Sequence, residues 1–201
     1  MSIPVDDQLL LKQIDASDAP DIFRAIDSQR DYLGRWLPFV EMTRELGDTE
    51  AYIESVGGGA ADRRDWVFVI RHRGAFAGIA GLKETDHVNR RTEIGYWLSE
   101  PFQKQGLATR AVRALVSFAF ESLGMHRIQI RCAVNNLPSR RIPERLGFAP
   151  EGIERDGERL TGGAYTDLQV YSLLRHDAAA GPLRREAAAG TPPPEDPAAG
   201  R

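Results

Sequence analysis

Apolar residues recur at different periods along the chain, and the changes of period mark its elements. Gln8-Leu-Leu-Leu-Lys-Gln-Ile14 reads as a first strand, and Ser17 or Asp18 is placed to cap a helix running through Ser28 with Ile22, Ala25 and Ile26 turned inward. A helical region over 30–39 carries Tyr32, Trp36 and Phe39, and a short helix over 49–56 is stopped by Gly57-Gly58-Gly59. From Trp66 the period becomes two. Trp66-Val-Phe-Val-Ile70, a His72-Arg73-Gly74 turn and residues 75–82 predict an antiparallel hairpin, to which 91–98 adds a third strand. After Pro101 a helix is predicted from about 106 to 123, with Leu107, Ala111, Leu115 and Phe118 on one stripe and Ala108, Val112, Ala119 and Leu123 on another. So broad an apolar face lies across a sheet. Arg127-Ile-Gln-Ile-Arg-Cys-Ala133 alternates as a strand, and the long helix before it makes a parallel crossover the natural pairing. Helical turns over 139–146 ending at Gly147, then strands near 148–154 and 165–174, complete a mixed sheet flanked by helices.

Composition adds the boundaries. A length of 201 residues suits one domain with a sizeable core. The last 24 residues, 178–201, hold eight Ala, five Pro and three Gly, with little that is large enough to bury, so the expected organisation is a folded unit over 1–177 and a disordered tail. Lys plus Arg number 26 against 29 Asp plus Glu, a net charge of -3, which argues against a global positive field for nucleic acid or an anionic bilayer. The most apolar helical run is broken by Arg110, Arg113 and Glu121, so no membrane span is expected. The single Cys132 cannot form an intramolecular disulfide, and the first residues lack the basic and apolar regions of an export signal, which predicts a reducing cytoplasm.

The most chemical segment is Gln103-Lys104-Gln105-Gly106-Leu107-Ala108-Thr109, between a strand and the start of the best helix. Free N–H groups at a helix N-terminus, with a glycine and an alanine permitting close approach, suit a diphosphate, although the same residues also make an ordinary helix start. No Gly-Lys-Ser/Thr or Gly-x-Gly-x-x-Gly is present there, which argues against nucleotide hydrolysis and hydride transfer. His72, His87, His126 and His176 are too scattered for a local metal-ligand pair, so no metal is expected.

Gln103-x-x-Gly106-x-Ala108 opening a helix, the preceding Glu93-Ile-Gly-Tyr-Trp-Leu98, the later Asn136-x-x-Ser139, and Leu146-Gly147-Phe148 together resemble the GNAT superfamily of acyl-CoA-dependent N-acyltransferases. Their order and spacing are similar to its Rim-type branch, the ribosomal-protein N-terminal acetyltransferases, over about residues 8–176. The resemblance implies an α/β (α+β) domain with a mixed, mostly antiparallel, seven-stranded sheet that splays between its fourth and fifth strands, here 91–98 and 127–133. It implies acetyl-CoA or another acyl-CoA as cosubstrate. The pantetheine arm would pair with backbone near Trp97, Leu98 and Ser99, and the pyrophosphate would meet the loop Gln103, Lys104, Gln105, Gly106, Leu107, Ala108 and Thr109. Asn136 and Ser139 match a second cofactor contact, and Arg140 or Arg141 would reach the adenosine 3′-phosphate.

The implied reaction, attack of a primary amine on a thioester, needs a base, an oxyanion donor and a proton for the departing thiolate. A backbone N–H at the bulged end of the fourth strand would serve the oxyanion. Glu93 and Glu158 are the candidate bases, each weighed against a plain surface role: a strand residue paired with Arg91 or Arg127, and a charged turn. Ser139 is the candidate proton donor, its competing role being a helix N-cap after Pro138. Many superfamily members carry a tyrosine four residues beyond this position, where this chain has Pro143. Cys132 reads as a small buried hydrophobe rather than an acyl-carrying nucleophile, so direct transfer is expected. Tyr32, Trp36 and Phe39 would wall the amine cleft or pack the core, with Tyr165 at its mouth. The expected acceptor is a protein or peptide α-amine, in particular a ribosomal-protein N-terminus. The alternatives are a polyamine, aminoglycoside or amino acid, a succinyl-CoA user, or a non-catalytic acyl-CoA-binding module. Rim-type enzymes often dimerise, and the apolar strand Leu168 to Leu174 could support a homodimer interface, while a monomer is equally compatible with the sequence.

Overall fold

The computed structural model describes residues 1–57 and 65–180. Among them are strands β1 (Ser2–Asp6), β2 (Leu9–Gln13), β3 (Trp66–His72), β4 (Ala75–Asp86), β5 (Arg91–Leu98), β6 (Arg127–Ala133), β7 (Ala149–Arg159) and β8 (Tyr165–Leu174). The helices are α1 (Ala19–Asp27), α2 (Arg30–Leu33), α3 (Phe39–Met42), α4 (Leu46–Gly57), α5 (Leu107–Ser117), α6 (Leu137–Arg145) and α7 (Arg175–Ala180). The strands form one sheet in the order β1-β2-β3-β4-β5-β6-β8-β7. Every neighbouring pair is antiparallel except β5 and β6, which are parallel because α5 carries the chain across the sheet between them.

The sheet has eight strands where seven were expected. The added one is β1, a short edge strand whose Pro4 is tolerated because an edge position leaves its missing N–H without consequence. Asp6 turns β1 into β2 by accepting the N–H groups of Gln8 and Leu9. Arg73 and Gly74 take left-handed backbone between β3 and β4, the geometry of a tight hairpin turn. The apolar run of β3 is explained by burial on both faces: Phe68 and Ile70 join the core beneath α5, while Val67 and Val69 join a second core beneath α1 to α4. Leu107, Ala111 and Leu115 carry the α5 side of the first core.

Asp18 holds the N-cap position of α1 as expected but makes no side-chain cap bond; the side-chain cap is made one turn earlier, by Asp15. Asp15 accepts the Ser17 N–H and the Asp18 carboxylate accepts the Asp15 N–H. Asp18 is fully buried and ion-paired to Lys12 and Arg71, both at 2.7 Å, so its charge joins β2 and β3 to the start of α1. The region 30–39 is helical only over Arg30–Leu33 (α2), with turns to Pro38 and α3 starting at Phe39, and the predicted helix 106–123 ends as α-helix at Ser117 and continues through one π-turn over 118–122. The predicted stop at Gly58 and Gly59, and residues 181–201 of the expected tail, lie outside the described residues, while Ala178 to Ala180 complete α7.

The feature that positions the site is a fork. β5 and β6 pair only through Arg91–Arg127, Thr92–Ile128 and Glu93–Gln129. Beyond that point β5 stays in register with β4 as far as Leu98, and β6 stays with β8 as far as Ala133. The expected bulge at the far end of β5 is absent; the irregularity between β4 and β5 falls at Lys83/Asp86, at the opposite end of the pair, where Glu84 takes left-handed backbone. β8 lies between β6 and β7, so both its edges are paired, and Leu168, Tyr171 and Leu173 are buried within the chain.

Two of these contacts lend themselves to measurement. A Cβ at Gly78 would lie 2.2 Å from the Trp97 carbonyl oxygen and 2.9 Å from Leu98 Cα, both backbone atoms of β5. Gly78→Ala should therefore destabilise the fold by roughly 2 kcal/mol or more in urea unfolding, against under about 1 kcal/mol for Gly95→Ala. At Gly95 the nearest atom is the flexible Lys83 side chain at 3.6 Å. The Arg127 guanidinium beside Glu151 lowers that carboxyl from 4.5 to about 2. A depressed folded pKa contributes stability above pH 4.5 that is lost as the pH falls toward 2. The Tm of Glu151→Gln should therefore fall less steeply than that of the parent across this window.

Candidate active site

The side chain at the base of the fork is Glu93. It is buried, and it sits at the last paired position of β5, opposite Lys83 on β4 and Gln129 on β6. Lys83 Nζ approaches its Oε1 at 2.9 Å, Arg131 Nε its Oε2 at 2.6 Å, and Gln129 Nε2 donates to Oε2 at 3.3 Å. One carboxylate thus holds donors from both branches at the point where they part. Its partners are Lys83 and Arg131, in place of the Arg91 or Arg127 expected from the sequence.

Above Glu93 the strands enclose a cleft of about 800 Å³ that reaches both faces of the sheet. On the β5 side the ladder decides which main-chain groups are open. The Ser99 N–H is bonded to the Ala77 carbonyl, and hydrogen-bonded positions alternate in an antiparallel pair. The main-chain groups of Ser99, Trp97 and Gly95 therefore face β4, and those of Leu98 and Tyr96 face the fork. This corrects the expectation for Trp97 and Ser99, whose backbone is spent on the sheet, while the main chain of Leu98 stays open to the fork. Trp97 still borders the cleft, packed with its indole 5.8 Å from Phe76 and 6.4 Å from Phe39, centroid to centroid.

The loop ahead of α5 has the form of an anion cradle. Lys104 and Gly106 both take left-handed backbone, and the ladder of α5 begins with the Arg110 N–H bonding the Gly106 carbonyl. The N–H groups of Leu107, Ala108 and Thr109 come before that first bond and point out of the helix end, where the dipole favours negative charge. Gln103 does not share this role, since its N–H is bonded to the Glu100 carbonyl and its side chain to the Tyr32 hydroxyl. Gln105 braces the loop through the Pro101 carbonyl. Arg110 is paired with Asp6, whereas Lys104 is exposed at the cradle. The cradle fits a diphosphate, and the open edge of β5 fits an extended amide-bearing arm.

Facing it across the fork, α6 is capped by Asn136, whose Oδ1 accepts the Ser139 N–H at 3.3 Å. Ser139 is therefore not the N-cap, and its hydroxyl is free to point into the cleft. It stands 3.3 Å from the Cys132 sulfur and 3.1 Å from the Tyr96 hydroxyl. Burial raises the Cys132 thiol above its ordinary value, with Ser139 and Tyr96 acting in the opposite direction, and burial raises the Tyr96 phenol well above its own. Both groups are protonated at neutral pH. Arg140 is spent on Tyr171 and the Val134 carbonyl, while Arg141 is exposed on the same helix.

The acceptor-side expectations separate. Glu158 borders the cleft, half-buried, opposite Thr166 in the β7–β8 ladder, and its carboxylate has no hydrogen-bond or ion-pair partner among the described residues. Trp36 borders it as well. Tyr32 does not, because its hydroxyl holds Gln103 and its ring packs in the core beneath α1 to α4; Tyr165 is exposed at the start of β8, outside the lining. Reading the sequence missed Tyr96, Lys83 and Arg131. A clue to the last two was present in the alternation of their strands, which puts opposite charges on one face near Glu93.

Residues 8–149 match the family model "Acetyltransferase (GNAT) domain". The ribosomal N-acetyltransferase candidate YdaF of Bacillus subtilis (strain 168) is 35% identical over 86% of this chain and 94% of its own length. The ribosomal-protein-serine acetyltransferase of Escherichia coli (strain K12) is 27% identical over 86% and 96%. A solved structure of RimL, the ribosomal L7/L12 α-N-protein acetyltransferase, in complex with coenzyme A superposes with a TM-score of 0.82 at 25% identity, covering 87% of this chain and 98% of that one. With a parted sheet, a helix start open on one side of the parting and this match over most of its length, the chain belongs to the GNAT acetyltransferase family and uses acetyl-CoA as its cosubstrate.

Proposed function

We propose that the acceptor is the α-amine of a protein N-terminus, a ribosomal protein in particular, and that transfer is direct. The observation that carries the acceptor class is the near full-length likeness to the Escherichia coli ribosomal-protein-serine acetyltransferase and to RimL. The cleft is consistent with it, since it opens on both faces of the sheet and admits the end of an extended chain opposite the cosubstrate. No helix among the described residues is long and apolar enough to cross a membrane, and a cytoplasmic setting with the ribosome's products suits this acceptor.

In this reading the N–H groups from Lys104 to Thr109, apart from any used within the loop, take the pyrophosphate. Arg141 reaches for the 3′-phosphate, and Leu98 lends its main chain to the pantetheine arm. Glu158 takes the ammonium proton, directly or through a water. Its carboxylate is unpartnered and borders the cleft, whereas that of Glu93 already holds three donors. A fork-facing main-chain N–H of Tyr96 or Leu98 meets the oxyanion. Attack joins the nitrogen to the carbonyl carbon; as the C–S bond then breaks, Ser139 gives its proton to the departing sulfur and regains, through water, the second proton that the nitrogen sheds on becoming an amide, so the net release is the one proton taken by Glu158. Cys132 stays a thiol, because its raised pKa leaves little thiolate to carry an acyl group.

Thiol release should be followed with acetyl-CoA and peptides bearing a free N-terminus, the same peptides blocked, or spermidine. Release only with the free peptide supports the reading, and release with spermidine but with no peptide overturns it. Tight coenzyme A binding without turnover of any amine would leave a binding module in its place. Glu158→Gln should lower kcat by about tenfold or more with stability within about 0.5 kcal/mol of the parent. Glu93→Gln should instead lose roughly 1–3 kcal/mol in denaturant unfolding, as charged donors lose their partner. Wild-type kcat in Glu158→Gln would exclude it as the base.

A further inference from the structure

Pro143 lies inside α6, four residues beyond Ser139. In an α-helix the N–H of residue 143 would bond the carbonyl of residue 139, and proline has no N–H to give. The Ser139 carbonyl is not left unpaired: the Tyr96 hydroxyl, from β5 on the other side of the fork, donates to it at 2.9 Å. The same phenol oxygen accepts the Ser139 hydroxyl at 3.1 Å and stands 3.9 Å from the Cys132 sulfur. All three polar groups of Ser139 are thereby held, its N–H by Asn136, its carbonyl by Tyr96, and its hydroxyl between Tyr96 and Cys132.

We propose that Tyr96 is the positioning residue of Ser139: it occupies the carbonyl that Pro143 leaves without a helical donor, and through this double contact it aims the Ser139 hydroxyl into the fork. The inference rests on the reading of Ser139 as proton donor to the thiolate. Tyr96 works through Ser139 and itself transfers no proton, since its own is committed to the carbonyl. Tyr96 thus spans the fork, joining β5 to α6 without closing the main-chain edge of either strand.

The test is a set of variants: Tyr96→Phe, Pro143→Ala, Ser139→Ala and the doubles, read by thermal unfolding without ligand and by steady-state kinetics. Tyr96→Phe should lower Tm by about 2–4 °C in the parent background and by less than about 1 °C in Pro143→Ala, where the main-chain N–H restored at that position would satisfy the Ser139 carbonyl. In kinetics Tyr96→Phe should lower kcat by about fivefold or more, with the KM for acetyl-CoA within about twofold, and add less than about twofold in the Ser139→Ala background. An equal Tm loss in both backgrounds overturns the link to Pro143. An undiminished kcat loss in the Ser139→Ala background overturns the positioning role while leaving the proton-donor reading intact. Parent kcat in Ser139→Ala overturns that reading itself. Should Tyr96→Phe alone fail to fold, the double Tyr96→Phe/Pro143→Ala should fold, and if it does not the proposal falls.

Discussion

The structure depends on a sheet that parts after three parallel pairs. Parting a sheet is costly, because the groups a strand would have bonded must find another partner or face water. Here β4 takes one edge of β5 as far as Leu98 and β8 takes one edge of β6 as far as Ala133, so only the two edges that face each other are open. Glu93 makes the divergence point stable, with Lys83 on one branch and Gln129 and Arg131 on the other. Removing that carboxylate would take from Lys83 its counter-charge and from Arg131 its shortest ion pair, leaving Arg131 only the longer contacts to Glu84 and Glu154, so the structural weight of Glu93 exceeds that of an ordinary surface glutamate.

What lies on either side of the opening follows from helix ends rather than from net charge. α5 and α6 both begin beside it, and each brings N–H groups that precede its hydrogen-bonded ladder. At α5 these groups are presented by left-handed Lys104 and Gly106, with Gln103 and Gln105 spent on bracing the loop. At α6 Asn136 caps the start, which frees the Ser139 hydroxyl for the cleft. A chain with a net charge of -3 can therefore hold a highly anionic cosubstrate, since dipoles act over a few ångströms where the overall field is weak.

Legibility tracked how local each cause was. β5 and β6 were read to the residue, and α1 turned Ile22, Ala25 and Ile26 inward as expected, because period and turn chemistry are properties of neighbouring residues. β1 escaped notice because five residues containing a proline carry little periodic signal, and only pairing with β2 defines them. The side-chain cap escaped notice for a related reason: Asp15, Ser17 and Asp18 all suit an N-cap, and the choice was made by Lys12 and Arg71, which draw the Asp18 carboxylate to themselves. The placing of Asn136, Ser139 and the α5 loop beside the fork follows from short motifs. The use of Trp97 and Ser99 does not, since which edge of β5 faces β4 is set by register.

Spacing over a few residues was enough to specify a mixed sheet, a crossover helix with a glycine-bearing loop ahead of it, and the residue types that acyl transfer calls for. Tertiary structure alone decided how those residues divide the work. It placed Glu93 between two cations and left Glu158 without a partner, and it moved Tyr32 from the cleft to the loop. It also brought Tyr96 to a carbonyl 43 positions further along the chain that Pro143 could not serve. Such assignments depend on which donor reaches which acceptor across the fold, and no local pattern carries that information.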